Sequence, residues 1–171
     1  MSKFFSVLAL AAFGLAPAPA LAQTTSLSSV GVGPHGYDFM IGTWSCKNAM
    51  PSRLGGPATS SFTISRSVNG ALFIHSTAAN YDTASYAVYS SKTKTWWSPT
   101  AYADGSYNIE SSRQTGPKTV WTGTLFDASS GKTNPIRDTF AFPNATTQTD
   151  LTQVQIGGTW KTESDSTCTK T

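Results

Sequence analysis

The chain of 171 residues is 39% hydrophobic and 12% aromatic, but only 12% of its residues are charged, about half of the roughly 25% in an ordinary soluble protein. This composition excludes a solvated disordered polymer and a helical protein stabilised by surface ion pairs. The chain contains 25 Thr and 23 Ser but only two Glu, Glu110 and Glu163, which favours β-structure over helix. The formal net charge of +3 is small and the charged residues are scattered, so we expect no nucleic-acid partner. A length of 171 residues suits a single domain.

Residues 1–22 have the three parts of a secretory signal peptide. Lys3 supplies the positive charge, residues 4–15 form an apolar run, and residues 20–22 give the A-x-A pattern that a signal peptidase accepts. The apolar run is shorter than the roughly 20 residues that cross a bilayer, and no later stretch approaches that length. We therefore expect cleavage before Gln23, a periplasmic or secreted product, and no integral membrane segment after cleavage.

The chain beyond the signal peptide is predicted to comprise a loose leader and one β domain. Residues 23–36 show no hydrophobic period and end in Gly and Pro, which is typical of a flexible leader. Residues 37–171 divide into short runs of Thr, Val, Ile and aromatic residues, separated by turn signals such as Asn69-Gly70 and Asp104-Gly105, which favour type I′ hairpins. The predicted strands are residues 41–48, 60–68, 72–79, 85–91, 94–101, 106–113, 119–126, 135–142, 150–156 and 159–166.

These predicted strands indicate a closed antiparallel sheet. Residues 37–40 give the only helical signal, a single turn before the first strand, so no segment could supply the crossover helices of a parallel sheet. Hairpin-linked strands leave two unpaired edges unless the first and last strands meet, and closure removes both edges. We therefore predict an all-β fold, an antiparallel up-and-down barrel of about ten strands.

The two cysteines support this closure. An oxidising compartment favours pairing of Cys46 with Cys168, and no C-x-x-C spacing suggests a metal or redox site. Cys46 lies in the first predicted strand and Cys168 just after the last, so a disulfide between them would join the seam of the barrel. A pair of buried free thiols is the alternative.

Alternation along the strands suggests which residues line the lumen. In the third predicted strand, Phe73 and His75 share one face and Leu72 and Ile74 share the other, so both faces are partly apolar. Other sets that share a face are Tyr86 with Val88, Tyr107 with Ile109, Trp121 with Leu125, and Ile136 with Phe140 and Phe142. The residues expected to line the lumen and contact a ligand are Phe73, His75, Tyr86, Trp97, Tyr107, Arg113, Trp121 and Phe140.

Two of these candidates have more than one interpretation. His75 is a hydrogen-bonded structural residue, a polar group that contacts a ligand, or a metal or haem ligand. Arg113 either faces inward, where it would hold a ligand carboxylate, or outward as a solvated charge. Trp96 and Trp97 are adjacent in one predicted strand, so one lies inside and the other outside.

Enzyme chemistry is difficult to build from these residues, and we expect no catalytic residue. A Ser or Cys nucleophile needs a positioned base, yet the only histidines are His35 and His75. The best constellation for an enzyme would combine His75, Tyr86, Tyr107, Glu110 and Arg113 in the lumen. Strict alternation places Glu110 on the face opposite Tyr107 and Arg113, which weakens that alternative.

The segment that ends in Gly42-Thr43-Trp44 resembles the opening of a calycin, in which a short helical turn precedes a Gly-x-Trp motif in the first strand. In that motif a glycine allows close approach of the chain while the Trp ring plugs the closed end of the barrel. The chain is most similar to exported bacterial lipocalin-like families of unknown function. That resemblance extends to the number of strands, to residues 121–124, to Gly158-Thr159-Trp160 and to Cys168.

Two departures limit what the resemblance implies. Nitrobindin-like proteins continue the motif with a further Gly and bind haem iron through a late His, whereas here Cys46 replaces that Gly and no His follows His75. We therefore expect no haem and no other cofactor. Lipocalins pack a late Arg over the motif Trp, but the basic residues in that region are Lys161 and Lys170, which lack a planar guanidinium.

The expected function is that of an exported, non-enzymatic barrel that binds a small apolar or amphipathic molecule. A barrel's interior grows with the number of strands, so ten strands favour a cavity. An enzyme that uses the lumen and a structural or protein-binding barrel with a filled core remain as alternatives.

Overall fold

The computed structural model describes residues 27–50, 58–78 and 81–171, and the predicted signal peptide lies outside them. The described residues form one closed antiparallel barrel, which confirms the predicted all-β class and up-and-down order. Its strands are β1 (Gly42–Met50), β2 (Thr59–Arg66), β3 (Leu72–Ala78), β4 (Tyr81–Ser90), β5 (Thr95–Tyr102), β6 (Tyr107–Ser112), β7 (Lys118–Asp127), β8 (Lys132–Asn144), β9 (Thr147–Ile156) and β10 (Thr159–Lys170).

The seam of the barrel is the pairing of β1 with β10. All other pairs join strands that follow each other in sequence. The β1–β10 register places Cys46 opposite Cys168, and the two form a disulfide with their Cα atoms 4.0 Å apart. This confirms the predicted bond, although β10 runs to Lys170, so that Cys168 lies within the strand and not after it.

The predicted hairpin at Asn69-Gly70 is present, but its turn is not of type I′. Gly70 has a positive φ of 78°, whereas Asn69 does not have the positive φ that a type I′ turn requires. The turn is closed by hydrogen bonds from the Ser67 amide to the Ala71 carbonyl and from the Gly70 amide to the Ser67 carbonyl, at 2.8 and 3.0 Å.

Residues 27–41 close one end of the barrel, and we call them the closing segment. They contain three short 3-10 turns, of which Asp38–Met40 confirms the predicted helical turn. Val30 is fully buried, the Trp96 indole donates to the Gly31 carbonyl at 3.0 Å, and the Gly116 amide donates to the Val30 carbonyl at 2.9 Å. The expectation of a loose leader over residues 23–36 therefore does not hold from Leu27 onward, because this segment covers apolar surface at the barrel end.

The Gly-x-Trp motif connects the closing segment to β1. Trp44 is fully buried and its indole donates to the Met40 carbonyl at 2.8 Å. Gly42 has φ +132°, and an added Cβ would lie 2.9 Å from Lys170 Cε. The Lys170 ammonium donates to the Phe39 carbonyl at 2.8 Å and lies 5.9 Å from the centre of the Trp44 ring. Lys170 thus lies near the ring of the motif Trp, where lipocalins place an Arg. The absence of an Arg had made such a contact doubtful from the sequence.

Candidate functional site

A cavity of about 240 Å³ lies inside the barrel beside the closing segment. Its wall has an apolar part, which includes Met40, Ile64, Leu72, Ile74, Trp121 and Phe142. The polar part includes Ser85, Ser98, Glu110, Asp138, Gln148 and Asp150. These side chains face inward because alternate residues of a closed sheet point to the same side.

Two of the residues predicted to contact a ligand lie on this wall. Trp121, on β7, is 6% exposed, and Phe140, on β8, packs against it with ring centres 6.5 Å apart. The cross-strand register sets Trp121 opposite Asp138, so the indole stands at the border between the apolar and polar parts.

The other aromatic candidates lie on the outside of the barrel, and their placement in the lumen was wrong. Tyr86, Trp97 and Tyr107 are 48%, 46% and 48% exposed. Phe73 packs against Tyr86 on the outer face, with ring centres 5.0 Å apart. The register of β3 turns Leu72 and Ile74 inward, and because successive residues of a strand point to opposite faces, Phe73 points outward.

His75 and Arg113 also lie away from the cavity wall. His75 Nε2 is 2.9 Å from Asp82 Oδ1, with both side chains substantially exposed on the outer face. Arg113 is exposed and donates from Nε to Thr95 Oγ1 at 2.9 Å. The structure therefore does not bring together the constellation considered for an enzyme, of which Glu110 alone lines the cavity.

The polar part of the wall contains three carboxyl groups, which we call the inner carboxyl cluster: Glu110 on β6, Asp138 on β8 and Asp150 on β9. Glu110 is 5% exposed, and its Oε2 accepts a hydrogen bond from Asn108 Nδ2 at 3.1 Å. Asp138 lies beside Glu110 and Thr152, whose side chains act on its pKa. Two neighbouring carboxyl groups that are removed from water favour keeping a proton between them.

Burial raises the pKa of all three groups in the cluster. For Glu110 desolvation is the largest cause, and the neighbouring charge of Asp138 raises its pKa further. Desolvation also raises the pKa of Asp138, against hydrogen bonds from Glu110 and Thr152 that lower it. The pKa of Asp150 is raised well above its usual range, first by desolvation and then by the charges of Asp138 and Asp165. The cluster therefore favours its protonated forms.

Four oxygens on the polar wall are shielded from solvent and have no hydrogen-bond donor in the part of the chain that the structure describes: Glu110 Oε1, Asp138 Oδ1, Gln148 Oε1 and Asp150 Oδ1. On the same wall, the Trp121 indole Nε1 has no acceptor among the described residues. Gln148 is 4% exposed, and the β9–β10 register holds it opposite Cys168 of the disulfide. Buried acceptors are nearly always paired in proteins, so these atoms mark a place where a donor is missing.

The sequence pattern drew attention to Glu110 but not to Asp138, Asp150 or Gln148. The signal for Asp138 was present, because it alternates with Ile136 and Phe140, which had been assigned to one face. In β9, Asp150 alternates with Gln148 in the same way, but a run of polar residues gave no reason to prefer either face.

No protein-family model matches the chain, and comparison with curated proteins finds no match. The fold is compatible with a calycin-like barrel through its closed antiparallel order. Within the described ranges, no helix is long and apolar enough to cross a membrane, and no group of three His, Cys, Asp or Glu side chains is arranged to hold a metal ion.

Proposed function

We propose that this protein is an exported barrel of the lipocalin-like type that binds one small amphipathic molecule in its lumen. The observation that supports the proposal is the cavity of about 240 Å³, with its apolar and polar parts. A barrel with a purely structural role would fill that space with side chains, because protein interiors are close-packed. Such a core would also pair its buried polar atoms, whereas Gln148 Oε1 has no donor among the described residues.

The volume of the cavity indicates the size of the part of a ligand that it would hold. A cavity of about 150 Å³ binds benzene, whereas pockets for drug-sized molecules measure about 300 to 1,000 Å³. A cavity of about 240 Å³ therefore suits one aromatic ring or a short alkyl chain that carries a polar group. Its apolar part would bury the ring or chain, and the polar part would orient the head group.

Neighbouring residues of β3 allow a matched test of this proposal. Ile74 lines the cavity, whereas Phe73 faces outward. Binding of alkyl and single-ring compounds with different head groups is followed by thermal shift, since a ligand raises the unfolding midpoint according to RT ln(1 + [L]/Kd). We expect Ile74→Trp to abolish the shift by filling the cavity, and Phe73→Trp to retain it.

Two outcomes would count against a ligand in the lumen. In the first, no compound in the panel shifts the midpoint and protein purified from its native compartment carries no bound molecule in native mass spectrometry. In the second, Ile74→Trp binds the compounds as well as the unmodified protein does. A structural role with a tightly packed interior would then be preferred.

The proposal that the protein is exported is tested separately. We expect the intact mass of protein isolated from its natural cell to correspond to a chain that begins at Gln23. A mass that includes residues 1–22 would contradict cleavage, and recovery from the cytoplasmic fraction would contradict export.

A further inference from the structure

Among the described residues of the cavity wall, the buried side-chain atoms without a hydrogen-bond partner are four acceptor oxygens, on Glu110, Asp138, Gln148 and Asp150, and one donor, Trp121 Nε1. Gln148 Oε1 and Asp150 Oδ1 have no donor within the described part of the chain, and the inner carboxyl cluster supplies further oxygens. Among the described residues that form the wall, none is Lys, Arg or His. The nearby cations of the closed end are engaged elsewhere, since Arg66 pairs with Asp38 and Lys170 donates to the Phe39 carbonyl.

Gln148 points to a ligand independently of the acidic residues. It is a neutral amide, it is 4% exposed, and it lines the cavity from β9 next to the disulfide of the seam. Repulsion between charges does not explain why its oxygen lacks a donor, and a buried acceptor without a donor is costly. A donor that reaches this oxygen from the cavity would satisfy it, and either a water molecule or a ligand can supply one.

We infer that this wall recognises the protonated amine of an amphipathic ligand, an inference that rests on the proposed function and specifies its ligand class. An ammonium group carries three donors and a positive charge, which match the acceptors of Gln148, Asp150 and the Glu110–Asp138 pair. A carboxylate head group supplies no donor and opposes ionisation of the wall, and a hydroxyl group would donate only one hydrogen. A bare metal ion is disfavoured because no metal-binding group of three such side chains occurs in the described ranges.

Binding of an amine is coupled to release of protons from the wall. The titratable groups that face the site are Glu110 of β6, Asp138 of β8, Asp150 of β9 and Tyr37 of the closing segment, with Asp165 of β10 acting on Asp150 and Glu163 of β10 buried in the barrel. The lining residues of β2 to β5 contain no titratable side chain. A cationic head group favours the ionised carboxylates, so a carboxyl group loses a proton to solvent when the ammonium ion binds.

Three probes with one alkyl chain separate the head group from the apolar contact: n-octylamine, n-octanol and n-octanoate. Their affinities are measured by isothermal titration calorimetry near neutral pH. We expect the amine to bind at least about tenfold more tightly than the alcohol, and octanoate to bind most weakly. Titrations of the amine in two buffers of different ionisation enthalpy should show proton release, a readout that apolar burial alone does not produce.

Conservative variants test which residues recognise the amine. We expect Asp150→Asn to reduce affinity for octylamine by about tenfold while affinity for octanol changes by less than about twofold. Asp82→Asn, which alters an exposed carboxylate on the outer face, is the control and should change neither affinity. Circular dichroism shows whether each variant folds, and the proton-release measurement on the unmodified protein needs no variant.

The outcomes distinguish this inference from the proposed function. If octanol binds as tightly as octylamine, or if the amine binds without proton release, the lumen binds amphiphiles but the amine inference is wrong. If the amine is preferred equally by the protein and by Asp150→Asn, the inner face of β9 does not recognise it and the inference also fails. If none of the three probes binds, and the wider thermal-shift panel is negative, both the inference and the proposed function fail.

Discussion

The outer face of β3 to β6 carries aromatic side chains, whereas the inner face of β6, β8 and β9 carries carboxyl groups. Tyr86, Trp97 and Tyr107 are about half exposed, while Glu110 is 5% exposed in the barrel interior. This arrangement is the reverse of what residue type alone would suggest. In a closed sheet, the register of the whole barrel, and not the hydrophobicity of one side chain, assigns each residue to a face.

The two faces differ in what they cost the fold. A half-exposed aromatic ring on a sheet surface costs little, because much of any folded surface is apolar. A carboxyl group removed from water must be protonated, paired or hydrogen-bonded. The buried carboxyl groups of the inner face therefore cost the fold more than the exposed aromatic rings of the outer face. Residues placed against the usual preference for burial are expected at functional sites.

Removing the disulfide should have the largest effect on stability, because this bond joins β1 to β10, the pair of strands that closes the barrel and separates its inner face from its outer face. The bond joins residues 122 apart in sequence, and the chain-entropy model gives a stabilisation of about 4 to 5 kcal/mol for a loop of this size. We expect the double variant Cys46→Ala and Cys168→Ala to lose about this much free energy of unfolding in guanidinium denaturation. An unchanged denaturation midpoint would show that strand pairing alone holds the seam.

Adjacent tryptophans compare the two faces directly. Trp96 is 2% exposed and donates to the Gly31 carbonyl, whereas Trp97 is 46% exposed. We expect Trp96→Ala to lower the free energy of unfolding by roughly 3 kcal/mol or more, and Trp97→Ala to lower it by about 1 kcal/mol or less. Equal losses in urea denaturation would contradict the assignment of these residues to opposite faces.

The dependence of stability on pH tests the inner carboxyl cluster. Its pKa values are raised by folding, so its contribution to stability is fully present below the unfolded pKa of about 4 and is lost as the pH rises toward the folded pKa. We expect the free energy of unfolding to fall between about pH 5 and pH 8, by up to about 1.4 kcal/mol per pH unit for each carboxyl group that stays protonated.

Glu110→Gln provides the control for that pH dependence, because it removes one titrating group from the cluster and should flatten the slope. Asp127 has the opposite pH dependence, because hydrogen bonds from Ser129 and Ser130 lower its pKa. Its contribution to stability is lost only as the pH falls below about 4, outside this pH window. Stability that rises from pH 5 to pH 8 would show that the folded barrel favours ionised carboxylates.

The smallest expected effect concerns access of a quencher to the tryptophans, which fluorescence measures without any change in the stability of the protein. Trp44, Trp96 and Trp121 are at most 6% exposed, whereas Trp97 is 46% exposed. We expect acrylamide to quench mainly Trp97, so that Trp97→Phe removes most of the accessible fraction. Trp160 is partly exposed beneath the Arg137 guanidinium, so the control is the double variant Trp97→Phe and Trp160→Phe. Quenching that persists unchanged in this double variant would mean that acrylamide reaches a tryptophan assigned to the interior.

Local chemistry determined the strands and their order. Turn residues such as those at Asn69-Gly70 separate runs of β-favouring residues, and short connections force neighbours to pair antiparallel. The pairing of Cys46 with Cys168 was also accessible from sequence, because an up-and-down order brings the first and last strands together and the expected export favours a disulfide.

Which face of each strand turns inward depends on packing between strands that are distant in sequence. The β3 residues Phe73 and Ile74 are both apolar, so their alternation is consistent with either register, and a shift of one residue exchanges the faces. The inward turn of Leu72 and Ile74 is fixed by packing against residues distant in sequence, including those of the closing segment. Local sequence signals were thus enough to predict a closed barrel joined by a disulfide, whereas the inner carboxyl cluster forms only because residues of β6, β8 and β9 share one interior.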